Sequence, residues 1–195
     1  MVLLGRRSAR ASDLVESYAV CKDITRAAST SFLRSFRHLP IEKRNAVYAL
    51  YAFCRRVDDI ADGDWLPDLS GVSSEEMSDL EARTADRSVI LSIDKQSEGS
   101  NPEPDHSLKL RALIYYRDML CRAHEGRSVS DPIFVALKDT FNRFPIRVGD
   151  LHQLIDGMED DLYPTNYRSF EDLRGYCYKV ASTVGLALIE IYGYD

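Results

Sequence analysis

Residues Tyr48 to Asp62 read YALYAFCRRVDDIAD, and the periodicity of this stretch decides the fold class. Counting from the preceding Val47, the residues Val47, Leu50, Cys54, Val57 and Ala61 fall at i, i+3, i+7, i+10 and i+14. That is the spacing of one buried helix face. Tyr51, Arg55, Asp58 and Asp62 follow one another at steps of four, three and four. At ~100° per residue they lie within about 60° of one another, beside the apolar stripe rather than opposite it. Side chains placed only for solvation take the far side of a helix. A Tyr, an Arg and two carboxylates along the edge of a core suit the wall of a cavity.

Working outward, Pro40 is placed to open this helix and Gly63 to close it. Upstream, a helical pattern runs from Ser12, a candidate N-cap, with Leu14, Ala19, Ile24 and Ala27 as buried candidates. It leads into AASTSFLRSF, where Ser29, Thr30 and Ser31 cluster at a helix break just before Phe32. Hydroxyls so grouped either cap a helix or donate to phosphate oxygens. Downstream of Gly63 the composition changes. Residues 66–106 are rich in Ser, Asp and Glu and carry Pro67, Pro102 and Pro104. They read as a long, acidic, largely exposed and disordered insertion, with a short helix capped by Ser73 or Ser74. Regular helices return over Ser107–Glu125, from Asp131-Pro132 to Pro145, from about Arg147, and from the Ser169-x-x-Asp172 capping box to about Tyr192. With no strand pattern and no internal repeat, the fold class is all-α.

Composition narrows the function classes. The 195 residues are 45% apolar and 29% charged, ordinary for one soluble domain with a sizeable core. A formal charge of -6 excludes a basic nucleic-acid binder. An acidic chain that handles an anionic substrate needs metal ions or a local Arg cluster to attract it. Cys21, Cys54, Cys121 and Cys177 show no metal spacing and read as buried thiols of a reducing, cytoplasmic compartment. The opening MVLLGRRSARAS is not patterned as a signal peptide, and no stretch approaches the ~18 apolar residues of a membrane span. Peripheral membrane contact stays open.

Asp58, Asp59 and Asp62 form DDxxD. Carboxylates at i and i+4 project from one helix face about 6 Å apart. Mg²⁺ suits them, because it takes few protein ligands and keeps other positions for water and phosphate oxygens. Arg55 offers a planar fork for phosphate. The plainer alternative is an Arg55–Asp59 surface ion pair. A second acidic run, Asp156, Glu159, Asp160 and Asp161, reads as mostly solvent-facing, with Asp161 nearer the apolar edge of its helix. In the final helix Tyr176, Val180, Val184 and Ala187 form a stripe flanked by Ala181, Ser182 and Gly185. Small residues there serve either close helix packing or room for a long apolar ligand.

The segments SFLRSFRHLP, AVYALYAFCRRVDDIADG, LIDGMEDDL and YRSFEDLRGYCYKVASTVGLALIEIYGY, in that order, closely resemble the squalene/phytoene synthases. The resemblance covers most of the chain outside about 66 to 106. It implies an isoprenoid synthase-type helical bundle that joins two prenyl diphosphates, farnesyl or geranylgeranyl, head to head. Asp58 and Asp62, with Asp59 beside them, would hold Mg²⁺ on a diphosphate. Ser29, Ser31 and Arg55 would contact diphosphate oxygens, and Phe32 and Tyr51 would line the pocket. Tyr176 would assist proton removal or cation stabilisation, while Val180, Val184 and Gly185 would line the prenyl channel. NADPH enters only if squalene is formed. The chain departs from the family at Ala28 and Ser182, and its 195 residues contain no second, NxxxD-type aspartate motif on a later helix. The expectation is therefore a partial domain carrying one side of the site. The alternative is a non-catalytic family member acting as an assembly or scaffold protein.

Overall fold

A computed structural model describes residues 2–88, 104–163 and 166–194, and all its regular elements are helical. In order they are α1 (Val2–Ala28), α2 (Thr30–Phe36), α3 (Ile41–Asp62), α4 (Ser74–Ser88), α5 (Pro104–His124), α6 (Pro132–Arg143), α7 (Val148–Asp161), α8 (Phe170–Cys177) and α9 (Thr183–Tyr192). A π-helical turn, Tyr178–Ser182, joins α8 to α9.

The all-α expectation holds, and α3 is its centre. Pro40 precedes the first turn, and Gly63 ends the helix in the left-handed region at φ 85°. The Asp59 carbonyl there accepts from the N–H groups of Gly63, Asp64 and Trp65, which satisfies the helix end and turns the chain. Of the face read from the sequence, Val47, Leu50 and Val57 are within 1% of complete burial, whereas Cys54 and Ala61 are half-buried and the preceding residues Phe53 and Ile60 are fully buried in their place. Each such aliphatic or aromatic side chain contributes about 1.5–3 kcal/mol. Helix α3 touches α1, α5, α6, α7 and α9. Phe53 packs edge-on against Phe134 of α6 and stacks near Tyr116 of α5.

Elsewhere the punctuation was informative. Asp131 Oδ1 accepts from the Ile133 N–H at 2.8 Å, with Pro132 at the first turn of α6. Ser169 and Asp172 form the expected reciprocal capping box of α8.

Four expectations need correction. Ser12 lies within α1 rather than capping it, and Ala19 and Ala27 are exposed. Among the described residues of α1, the buried positions are Ser17, Cys21 and Thr25. Their hydroxyls become buriable by donating to their own helix, Ser17 to the Asp13 carbonyl at 2.7 Å and Thr25 to that of Cys21 at 2.9 Å. The described part of the 66–106 insertion is also more ordered than its composition implied. Leu66 packs on the core, and α4 buries Met77 and Leu80 behind a Ser73–Glu76 capping box. Residues 89–103 lie outside the described residues. Of the cysteines, Cys21 is buried but Cys177 is exposed. Finally, the last helix is interrupted by the π turn, where the Thr183 N–H reaches back to the Tyr178 carbonyl.

That π turn seats on α7 through Gly157. A Cβ added at Gly157 would stand 2.6 Å from Val180 Cγ1 and 3.1 Å from Lys179 Cβ. At Gly149, in the first turn of α7, an added Cβ meets nothing within 4 Å. Gly157→Ala should therefore destabilise the protein, the overpacking cost of about 1–3 kcal/mol exceeding the roughly 1 kcal/mol returned by helix propensity. Gly149→Ala should be neutral or stabilising. Thermal denaturation of the two variants checks this; equal melting temperatures would mean that α7 and the π turn are not in close contact.

Candidate active site

The site is built on the last two turns of α3. Asp59 is buried, its side chain 7% exposed, and both its oxygens are paired: Oδ1 with the Arg55 guanidinium at 2.5 Å, Oδ2 with that of Arg56 at 3.0 Å. Arg56 also lies 4.5 Å above the Trp65 ring, a cation–π contact that fixes it against the core. With Asp59 turned inward, its neighbours Asp58 and Asp62 are left on the outer edge. Asp58 Oδ2 accepts from Arg55 Nη1 at 2.8 Å. Arg55 thus bridges the buried carboxylate to the exposed one.

Two sequence readings are sharpened here. The Arg55–Asp59 pair exists, but it is a buried anchor and not a surface pair. For the same reason Asp59 is committed to arginines, whereas Asp58 and Asp62 face outward. Tyr51, half-buried, sits one turn before Arg55, with burial raising its phenol pKa above the ordinary range.

Across from this edge stands the end of α7. Asp161 accepts a hydrogen bond from the Tyr176 hydroxyl of α8 at 2.9 Å. Partial burial raises the Asp58 carboxyl, and the charges of Asp62, Asp59 and Asp161 add to that rise while Arg55 opposes it. Asp161 is raised in the same way, by burial and by Asp160 and Asp62, with the Tyr176 hydrogen bond opposing. Asp58 and Asp62 on one wall therefore feel Asp161 on the other. Burial and then the bond to Asp161 push the Tyr176 phenol far up, so it stays protonated and donates that proton in a hydrogen bond to Asp161. The Tyr167 ring lies 5.4 Å from that of Tyr176.

In the second acidic run Asp156, Glu159 and Asp160 are half-buried rather than solvated, whereas Asp161, the expected exception, is exposed. Asp156 and Glu159 both pair with Arg117 of α5, at 2.7 and 2.8 Å, and Asp160 pairs with Lys179 of the π turn at 2.6 Å. These ion pairs lash α7 to its neighbours and leave Asp161 to face the aspartates of α3. The apolar contributors stand nearby: Val180 lies over Gly157, Val184 is half-buried against the core, and an added Cβ at Gly185 would meet only open space. Ser29 sits at the break between α1 and α2, its carbonyl accepting from the Leu33 N–H at 3.3 Å. Ser31 is exposed on α2, and the Phe32 side chain lies outside the described residues.

Among the described residues, no three His, Cys, Asp or Glu side chains converge into a closed metal cage. The donor set still fits Mg²⁺. This ion is held by one or two carboxylates and completes its shell with water and phosphate oxygens, and Asp58, Asp62 and Asp161 are oxygen donors whose mutual repulsion a cation relieves. The pairing of Asp161 with Tyr176 escaped the sequence reading. Its only signal was the nearness of Asp161 to the apolar edge of α7.

Known proteins resemble this chain in sequence and in fold. A squalene/phytoene synthase family profile matches residues 25–195. The phytoene synthase of Arthrospira platensis is 29% identical over 178 residues, which is 91% of this chain and 45% of that protein. That of Mycobacterium tuberculosis is 29% identical over 182 residues, covering 93% of this chain and 46% of its own length. Among solved structures, a dehydrosqualene synthase in complex with ligand superimposes with a TM-score of 0.65 at 26% identity, over 93% of this chain and 49% of that one. A squalene synthase from Alicyclobacillus acidocaldarius gives a TM-score of 0.64 at 25% identity, over 94% and 54%. The chain spans about half the length of the curated relatives it matches. No helix among the described residues is long and apolar enough to cross a membrane. On the profile match and these relatives, the chain belongs to the squalene/phytoene synthase family.

Proposed function

We infer that this protein serves the head-to-head condensation of two prenyl diphosphates, with Asp58 and Asp62 of α3 receiving a diphosphate through Mg²⁺. The observation that carries this reading is the two-walled acidic site: carboxylates of α3 facing the Asp161–Tyr176 pair of α7 and α8. A prenyl diphosphate leaves as diphosphate and a carbocation, so the site must meet developing negative charge at one end and protect a cation at the other. Mg²⁺ bound there supplies the positive charge that stabilises the departing diphosphate. Arg55, already directed along the Asp58 edge, adds a fork for the diphosphate oxygens once a ligand competes for it.

Tyr176 suits the cationic half of the reaction. Its neutral oxygen can stabilise a cation or take a proton from carbon while its own proton passes to Asp161, which is positioned to accept it. Val184 and Gly185 provide apolar, uncrowded surface beside it for a prenyl chain. Phytoene formation from geranylgeranyl diphosphate is our preferred outcome, since phytoene synthases recur among the relatives.

One observation favours an assembly role instead. Phe170, Tyr178, Ile189 and Tyr194 of the C-terminal segment are 78, 44, 48 and 72% exposed, large apolar side chains available to another protein. Turnover separates the two readings.

Asp58→Asn and Asp62→Asn should each lower Mg²⁺-dependent turnover of geranylgeranyl or farnesyl diphosphate by about 10²-fold or more. Because each removes a repelling carboxylate, neither should lower the melting temperature measured in EDTA, and each should lose the rise that Mg²⁺ gives the parent protein. Near-normal turnover by both would make the stripe structural. Tyr176→Phe should reduce kcat by about 10²-fold with little change in KM, and Asp161→Asn should act in the same direction. An unaltered kcat in the Phe variant would remove Tyr176 from the cationic steps.

A further inference from the structure

Beyond the aspartate site, at the other end of α3, a cavity of about 330 Å³ opens where α1, α2 and the first turns of α3 meet. Its charged lining is entirely cationic, with Lys22 from α1, Arg34 and Arg37 from α2 and the turn after it, and Arg44 from α3, and Asn45 is a neutral polar neighbour. In a chain of formal charge -6 this concentration of positive charge is local and specific. Arg55, Arg56, Arg117, Arg122 and Arg143 all pair with carboxylates. Among the described residues, no ion pair involves Lys22, Arg34, Arg37 or Arg44.

Local bonds hold part of this array in place. Arg44 Nη1 donates to the Arg37 carbonyl at 3.1 Å, and Arg37 Nε donates to His38 Nε2 at 3.1 Å. A guanidinium has five N–H donors, so most of those on Arg37 and Arg44 remain for a ligand. The floor is rigid and apolar: Tyr48 is 4% exposed and packs edge-on against Phe36 at 6.2 Å. Leu33 lines the same cavity. Like charges gathered around a concave surface repel one another, and a multiply charged anion turns that repulsion into binding.

We propose that this cavity is a phosphate-binding site, taking a phosphate or diphosphate group through the side chains of Lys22, Arg34, Arg37 and Arg44. Planar arginine forks match phosphate oxygens in pairs, and the lysine adds a mobile point charge. The cavity lies apart from the aspartates: Arg44 precedes Asp58 by fourteen residues, about 21 Å along the helix axis at 1.5 Å per residue. Two sources present this chemistry, a free inorganic anion and the headgroup of an anionic lipid whose chains would meet the apolar side of the cavity at Leu33 and Tyr48.

The test uses the protein in EDTA, so that metal-dependent binding at Asp58 and Asp62 plays no part. Inorganic diphosphate is titrated by calorimetry, and cosedimentation is measured with phosphatidylcholine vesicles with and without phosphatidylglycerol. The comparison protein is the Lys22→Gln/Arg34→Gln double variant, whose substituted side chains make no described hydrogen bond, with folding verified by circular dichroism. We expect one or both ligands to bind, the affinity to fall about tenfold or more per cation removed, and added salt to weaken it. Diphosphate binding identifies a soluble anion as the ligand; binding only to phosphatidylglycerol vesicles identifies the lipid. Absence of binding to both, or equal binding by parent and folded double variant, would overturn the proposal. Asp58→Asn should leave this binding unchanged, so its outcome is separate from that of the proposed catalytic function.

Discussion

A carboxylate taken out of water must be paired, and the pairing of Asp59 arranges much of what surrounds it. Asp59 is buried at the C-terminal end of α3 with Arg55 on one oxygen and Arg56 on the other. Losing either arginine would leave a buried charge short of a partner, a loss of the kind that costs about 3–5 kcal/mol. The same pairing sets the site. Arg56 is carried onto Trp65, Arg55 is carried to Asp58, and the helix register then puts Asp58 and Asp62 on the edge. The Asp59 carbonyl receives the N–H groups of the following turn, so the residue also ends the helix. In DDxxD, the middle aspartate holds the frame and the outer two stand at the edge, where the proposed diphosphate would meet them.

The opposing wall depends on a different constraint, the close approach of the π turn to Gly157. Without a side chain at that position, Val180 and Lys179 come down onto α7, and Lys179 reaches Asp160. Tyr176, just before the turn, then reaches Asp161. A π turn shifts the phase of the residues after it relative to an uninterrupted α-helix, which is one reason such turns accumulate at functional sites. Packing and chemistry meet here: the glycine and the turn set where the phenol stands.

What was legible in the sequence was whatever local periodicity and punctuation determine. Pro40, Gly63, Asp131-Pro132 and the Ser169–Asp172 box each mark an end through backbone chemistry that acts within a few residues, and each mark fell where the helix ends are. The edge carrying Tyr51, Arg55, Asp58 and Asp62 was legible for the same reason. Less was legible wherever a distant partner decides. Asp156 and Asp160 point away from the apolar face of their own helix, yet Arg117 and Lys179 arrive from other elements to meet them. Ser17 and Thr25 were not among the buried candidates of α1, yet their hydroxyls bond within the helix and both are buried. The π turn has no composition signal, and Asp161 gained its meaning only when Tyr176 was found beside it.

The most direct test of the two-walled site is crystallographic. Crystals of the protein grown with Mn²⁺ and a non-hydrolysable prenyl diphosphate analogue would be measured at the manganese edge. The account predicts anomalous peaks between the analogue's diphosphate and the carboxylates of Asp58 and Asp62, on the side that faces Asp161. An ordered analogue whose diphosphate lies elsewhere, or manganese bound away from α3, would contradict it.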